Sequence, residues 1–146
     1  MPLKTLTIIH AALVLGLIVL GSVSYFFGVG FISQFDLNGD IFIYLVPTFA
    51  VLGYFGSIFI FRKQLLQIHS SEELSIKLAK YQAASIVKYA LIEGPAVLAF
   101  IMFMNSGYTL YFTIAVCLVI YLAIQKPNKD KLIQELHLNA TEQQQL

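Results

Sequence analysis

Charge is what this sequence has least of. Of its 146 residues only 12% are Asp, Glu, Lys or Arg, while 58% are hydrophobic; soluble domains carry roughly one quarter charged residues. With a mean hydropathy of +0.79, that balance excludes an ordinary soluble domain and a nucleic-acid-binding chain, and it indicates a membrane protein. Cysteine is almost as scarce. Cys117 stands alone, which excludes a disulfide within the chain, C-x-x-C redox chemistry and a cysteine-rich metal site. His10, His69 and His137 occur singly, without i, i+3 or i+4 partners, so no metal or bis-histidine haem site is expected, and no cofactor. No internal repeat is evident, and the residues outside the apolar stretches are too few for a separate soluble domain.

What is present is four apolar stretches, about 6–27, 41–61, 85–104 and 108–124. Each is long enough to cross a hydrocarbon core of about 30 Å, which takes roughly 20 helical residues. The first has Lys4 before it but exceeds a signal-peptide apolar region and has no A-x-A-like site after it, so it reads as a retained helix. Without barrel-like alternation the spans should be helices, each satisfying its own backbone N–H and C=O groups.

The connections are as uneven in charge as the spans are uniform. All nine Lys and Arg residues fall before the first stretch, between the second and third or just inside the third, or after the fourth. "GVGFISQFDLNGD" has two acids and no base, and "NSG" is uncharged. The positive-inside rule therefore predicts an all-α, four-helix transmembrane bundle with both termini cytoplasmic, in a bacterial inner membrane. Residues 1–126 form the bundle and 127–146 a cytoplasmic amphipathic tail.

The third span carries the anomaly. Ser70 and Glu73 have capping-box spacing, so the helix should start near Ser71 and project beyond the membrane, sending Lys77, Lys80 and Lys88 towards water or lipid phosphates. Deeper in, "KYALIEGPAVLAF" places Glu93 about ten residues from either end of the span. An ionised carboxylate there costs roughly 3 kcal/mol or more unless it is paired, hydrated or protonated. Pro95 offers no N–H to the Leu91 carbonyl, which predicts a kink at Gly94–Pro95 and a free acceptor near Glu93, while Gly94 would let another backbone approach. Lys88, five residues away, points to a different face; Tyr89 shares the face of Glu93. Tyr54 and Ser57 of the second span should lie at similar depth, and His10 nearer the cytoplasmic end. Two readings stand side by side: Glu93 binds a proton or cation with Tyr54, Tyr89 or the Leu91 carbonyl in support, or it is a neutral hydrogen-bonding contact between helices.

The remaining features are milder. Tyr25, Phe26, Phe27, Tyr44, Tyr108 and Tyr111 read as an aromatic belt. Gly16, Gly21, Gly53 and Gly56 permit close helix contacts without forming G-x-x-x-G. After Pro127, "NKDKLIQELHLN" predicts a helix starting at Asn128 or Asp130, with Leu132, Ile133 and Leu136 on one side, lying on the membrane surface or over the bundle end. Asn139-Ala-Thr141 matches a glycosylation sequon on the wrong side for modification. "TEQQQL" reads as disordered.

A carboxylate within an apolar helix, in a hairpin whose connection "FRKQ" is cytoplasmic, resembles the rotary ATPase ring proteolipids, which implies a proton or sodium ion on Glu93. The glycine-rich packing helix of that family has no counterpart here. Four spans with a glutamate before a proline are similar to the membrane-associated eicosanoid and glutathione enzymes, although their arginine and asparagine have no match in "SIVKYALIEGP". The expectation that follows is a protein of the lipid bilayer, with a membrane enzyme ranked well behind two other classes because no second catalytic group has convincing spacing near Glu93. It is either a proton- or cation-coupled protein acting as a homo-oligomer, or an accessory subunit of a larger membrane complex.

Overall fold

The computed structural model describes residues 2–32 and 41–146; the acidic connection with Asp36 and Asp40 lies outside the described residues. Among the described residues six helices follow in order: α1 Pro2–Phe27, α2 Phe42–Leu66, α3 Leu74–Ser106, α4 Thr109–Ile124, α5 Lys129–Leu136 and α6 Ala140–Gln144. The first three are long and apolar enough to cross a membrane, and a fourth span is added if α4 and α5, bent by 80° at their junction, count as one. Hydroxyls within these segments turn back on their own helix. Thr7, Ser24, Thr48 and Thr113 each donate to the carbonyl four residues earlier, so they add no unsatisfied donor to an apolar surface.

α3 is the hub. It packs against α2, α4 and α1, whereas α4 touches α1 and α2 less extensively. The seam is built from small side chains facing large ones: Ala84, Ala96 and Ala99 of α3 and Ala115 of α4 are buried with Ile92, Phe100, Phe103, Tyr111 and Leu122. Alanine at such positions lets two backbones close on each other, which replaces the hydrophobic drive that lipid cannot supply. Tyr111, expected in an aromatic belt, is fully buried in this seam, while Tyr25, Phe26, Phe27 and Tyr44 are exposed.

The tight α3–α4 turn is fixed from the α1 side. Gly107 takes φ +75° as the left-handed C-cap of α3, and its carbonyl accepts the Ile32 N–H at 2.7 Å. Ile32 in turn accepts from the Thr109 N–H at 3.0 Å. A side chain at position 107 would be strained in φ and would meet the Gly30 carbonyl.

At the opposite end the outcome differs from the sequence reading in three ways. α3 begins at Leu74 with Glu73 as its N-cap, and neither Ser70 nor Glu73 caps it through a side chain. Glu72 instead accepts the His69 N–H at 3.0 Å and pairs with Lys80 at 2.8 Å, so the carboxylate closes the preceding turn rather than the helix. The lysines of α3 are engaged by protein. Lys77 is 2% exposed and pairs with Glu142 at 2.8 Å, and the Lys88 ammonium lies 4.2 Å above the Phe61 ring. Finally, the C-terminal residues are ordered. Asn139 and Glu142 form a capping box that starts α6, satisfying two N–H groups that a polar tail would otherwise leave to water. The amide at Asn139 is therefore occupied as a helix cap.

α5 covers the bundle end. Asn128 caps it by accepting the Asp130 N–H at 2.9 Å, and Leu132, Leu136 and Leu138 are buried in the same core as the long helices.

Candidate functional site

Glu93 is partly buried on α3. Its stripe is defined by the residues one turn before and two turns after it. The Tyr89 ring lies edge-on to the His10 ring with centroids 5.0 Å apart, and the Phe100 ring lies against Gly21. The same residue offset relates both pairs, so α1 and α3 run parallel, and that register sets Val14 of α1 level with Glu93. Leu13 and Leu15 flank Val14 in sequence and Leu17 follows one turn on, so α1 presents only apolar side chains there. Among the described residues, Glu93 has no hydrogen bond or ion pair from its own chain.

The groups expected to support it are engaged elsewhere. Tyr89 donates its hydroxyl to the Gln125 carbonyl at 3.1 Å. Tyr54, 37% exposed, packs its ring on Tyr121 at 4.8 Å, and Ser57 donates to the Tyr54 carbonyl at 2.7 Å. The Leu91 carbonyl, freed of its helical donor by Pro95, is covered by Gly53 of α2. A Cβ built on Gly53 would collide with that oxygen and stand 2.8 Å from Pro95 Cγ. A glycine hydrogen facing a carbonyl in this way is a Cα–H···O contact, worth about 0.5–1 kcal/mol. The close backbone approach expected at Gly94 is thus made at Gly53: Gly94 is exposed, with nothing within 4 Å of a would-be Cβ. α3 itself continues through Gly94 and Pro95 as one helix.

A second group of polar contacts gathers at the lysine-bearing end. His10 is buried, and its Nε2 lies 2.6 Å from the Leu122 carbonyl; since a carbonyl only accepts, that nitrogen carries the hydrogen. With Tyr89 bound to Gln125, side chains from α1 and α3 both meet carbonyls at the C-terminal end of α4, where the Leu122 carbonyl also accepts the Gln125 N–H at 3.1 Å. A lone histidine and a tyrosine eighty residues apart leave no local pattern by which such a contact could be read from sequence. Lys88 approaches the same corner, 3.5 Å from Gln125 Oε1 and 5.3 Å from the Tyr89 ring centroid. His69 and His137 are exposed. Cys117 is exposed on α4. No group of three His, Cys, Asp or Glu residues with metal-binding geometry occurs among the described residues.

The chain matches no protein-family model, no curated protein and no solved structure. The arrangement of its own residues therefore carries the functional reading.

Proposed function

We propose that this is a polytopic integral membrane protein of a bacterial inner membrane, with both ends in the cytoplasm. It works as a non-catalytic interaction subunit, in a homo-oligomer or a larger membrane complex. The observation that carries the reading is the isolation of Glu93: a partly buried carboxyl group on the flank of the hub helix, with no hydrogen-bond or ion-pair partner from the described residues. A carboxyl group at such depth finds a partner or stays neutral, and a donor or acceptor on an abutting helix would supply one. Interhelical hydrogen bonds in membranes contribute about 1 kcal/mol, enough to choose between partners once packing brings helices together. Tyr54, Tyr89 and Leu91, engaged as described, support neighbouring helices rather than an ion.

The same position favours one alternative, in which Glu93 carries a proton or cation at the outer flank of the assembly. Two substitutions separate the readings. In mild detergent, Glu93→Leu should weaken the assembly roughly five-fold, while Glu93→Gln, which still donates and accepts, should keep it. Proton or cation flux in vesicles that Glu93→Gln abolishes while the assembly stays intact would refute the interaction reading in favour of the ion-coupled one.

A further inference from the structure

Six of the eight lysines fall into two groups. Lys77 and Lys80 are ion-paired, and Lys88 sits over an aromatic ring. Lys126, Lys129 and Lys131 have no hydrogen bond or ion pair among the described residues, yet they line one groove of about 480 Å³ at the α4–α5 corner, with Ile124, Pro127 and Asn128. Asp130 is the one acid between them in sequence, leaving a net excess of two positive charges. Three ammonium groups held within six residues repel one another, and an outside anion relieves that repulsion.

Two further observations indicate the source of the anion. α4 has 16 residues, a length of about 24 Å at 1.5 Å per residue, so it falls short of a hydrocarbon core of about 30 Å. The mismatch draws its end towards the boundary between acyl chains and headgroups. Just before the lysines, Ile120 and Ile124 are 55% and 65% exposed, one turn apart, an apolar strip that ends at the charged groove. The 80° bend into α5 turns the lysines across the bundle end, beside that strip.

We propose that the α4–α5 corner holds an anionic phospholipid, its phosphate among Lys126, Lys129 and Lys131 and one acyl chain along Ile120 and Ile124. Each lysine near such a headgroup is worth about five-fold in affinity, so the net excess gives a preference over a zwitterionic lipid of roughly 30-fold.

The chain has no tryptophan, so Ile124→Trp makes a single fluorescent reporter. In vesicles of brominated phosphatidylcholine, rising amounts of unbrominated phosphatidylglycerol should relieve quenching well before the two lipids are equal. Adding Lys126→Gln, Lys129→Gln and Lys131→Gln should return the curve to bulk mixing, whereas Arg62→Gln with Lys63→Gln should leave it unchanged. Ile120→Trp serves as the reporter if Ile124→Trp fails to fold. A parent curve that follows bulk mixing overturns the proposal, as does a preference that survives loss of the three lysines or vanishes equally in the Arg62 and Lys63 control. Collapse of the preference by inorganic phosphate at matched concentration would assign the corner to a soluble anion and overturn the lipid assignment.

Discussion

Gly53→Ala adds one methyl group where the α2 backbone lies directly against α3. The new carbon would collide with the Leu91 carbonyl and lie 2.8 Å from Pro95 Cγ, well inside ordinary contact. Neither neighbour can swing aside, because one is helix backbone and the other a ring with fixed φ. The two helices must therefore separate, an overpacking cost of about 1–3 kcal/mol. Alanine recovers about 0.5–1 kcal/mol of helix preference over glycine, which leaves a net loss of about 1–2 kcal/mol. At roughly 2–4 °C per kcal/mol for a chain of this size, thermal unfolding in mild detergent, followed by circular dichroism, should fall by about 3–6 °C. Gly94→Ala is the internal control. Its methyl group meets open space, so the same helix preference should raise the midpoint by a few degrees. Pro95→Ala restores the N–H to Leu91 and removes the ring, so Gly53→Ala should cost less in that background. Equal effects at Gly53 and Gly94, or an unchanged penalty without the proline, would refute the reasoning.

Other perturbations test the lysine-bearing end. Glu142→Gln should destabilise α6 more than Lys77→Met, because the first strands a buried ammonium while the second leaves a carboxylate near water; hydrogen exchange of residues 140–146 reports the difference. The Lys77 ammonium, as hydrogen-bond donor, and the Asn139 N–H hold the Glu142 carboxyl below the ordinary 4.5, and the Lys80 ammonium and the His69 N–H do the same for Glu72. Depressed acids stabilise above the unfolded value and lose that contribution as pH falls through the folded value. Protection of α6 and of the turn before α3 should therefore persist at pH 6 and fade in the acid range below about 4.5. Tyr89→Phe should cost about 1 kcal/mol by freeing the Gln125 carbonyl, and His10→Ala about 2 kcal/mol by also leaving a cavity. Both should raise exchange at the C-terminal turn of α4 before that of α2.

The long helices were legible because an apolar run in lipid has few backbone options. The expected stretches 6–27, 41–61, 85–104 and 108–124 fall largely within α1 to α4. The early start of the third helix, well before Ser85, was legible too, but its cap was not: spacing from Ser70 pointed to Glu73, and only the fold shows that Glu72 is the one that turns back, onto His69. Order in the C-terminal residues escaped notice for a different reason. "TEQQQL" contains no apolar surface large enough to fold alone, and its anchor is Lys77, 65 residues away. Glu93 was conspicuous in the sequence, but the neighbours assigned to it by depth were not its partners. Depth along a span fixes height in the bundle and leaves rotation about each helix axis open. Tyr54 packs on Tyr121 by that rotation, while Tyr89 and the Leu91 carbonyl, on the same helix as Glu93, are taken by Gln125 and by Gly53.

The hub position of α3 sets an order of assembly. α2 with α3, and α3 with α4, are sequence neighbours and can associate as each hairpin enters the membrane. α1 has its main contacts with α3 and α4, both synthesised after it. His10 leaves the ribosome roughly 80 residues ahead of Tyr89, which at about 5–20 residues per second is a delay of some 4–16 s. During that interval α1 has α2 but not α3 beside it in sequence order, and the Leu122 carbonyl that receives its imidazole is made later still. The first helix made then completes its contacts only after α3 and α4 are in place.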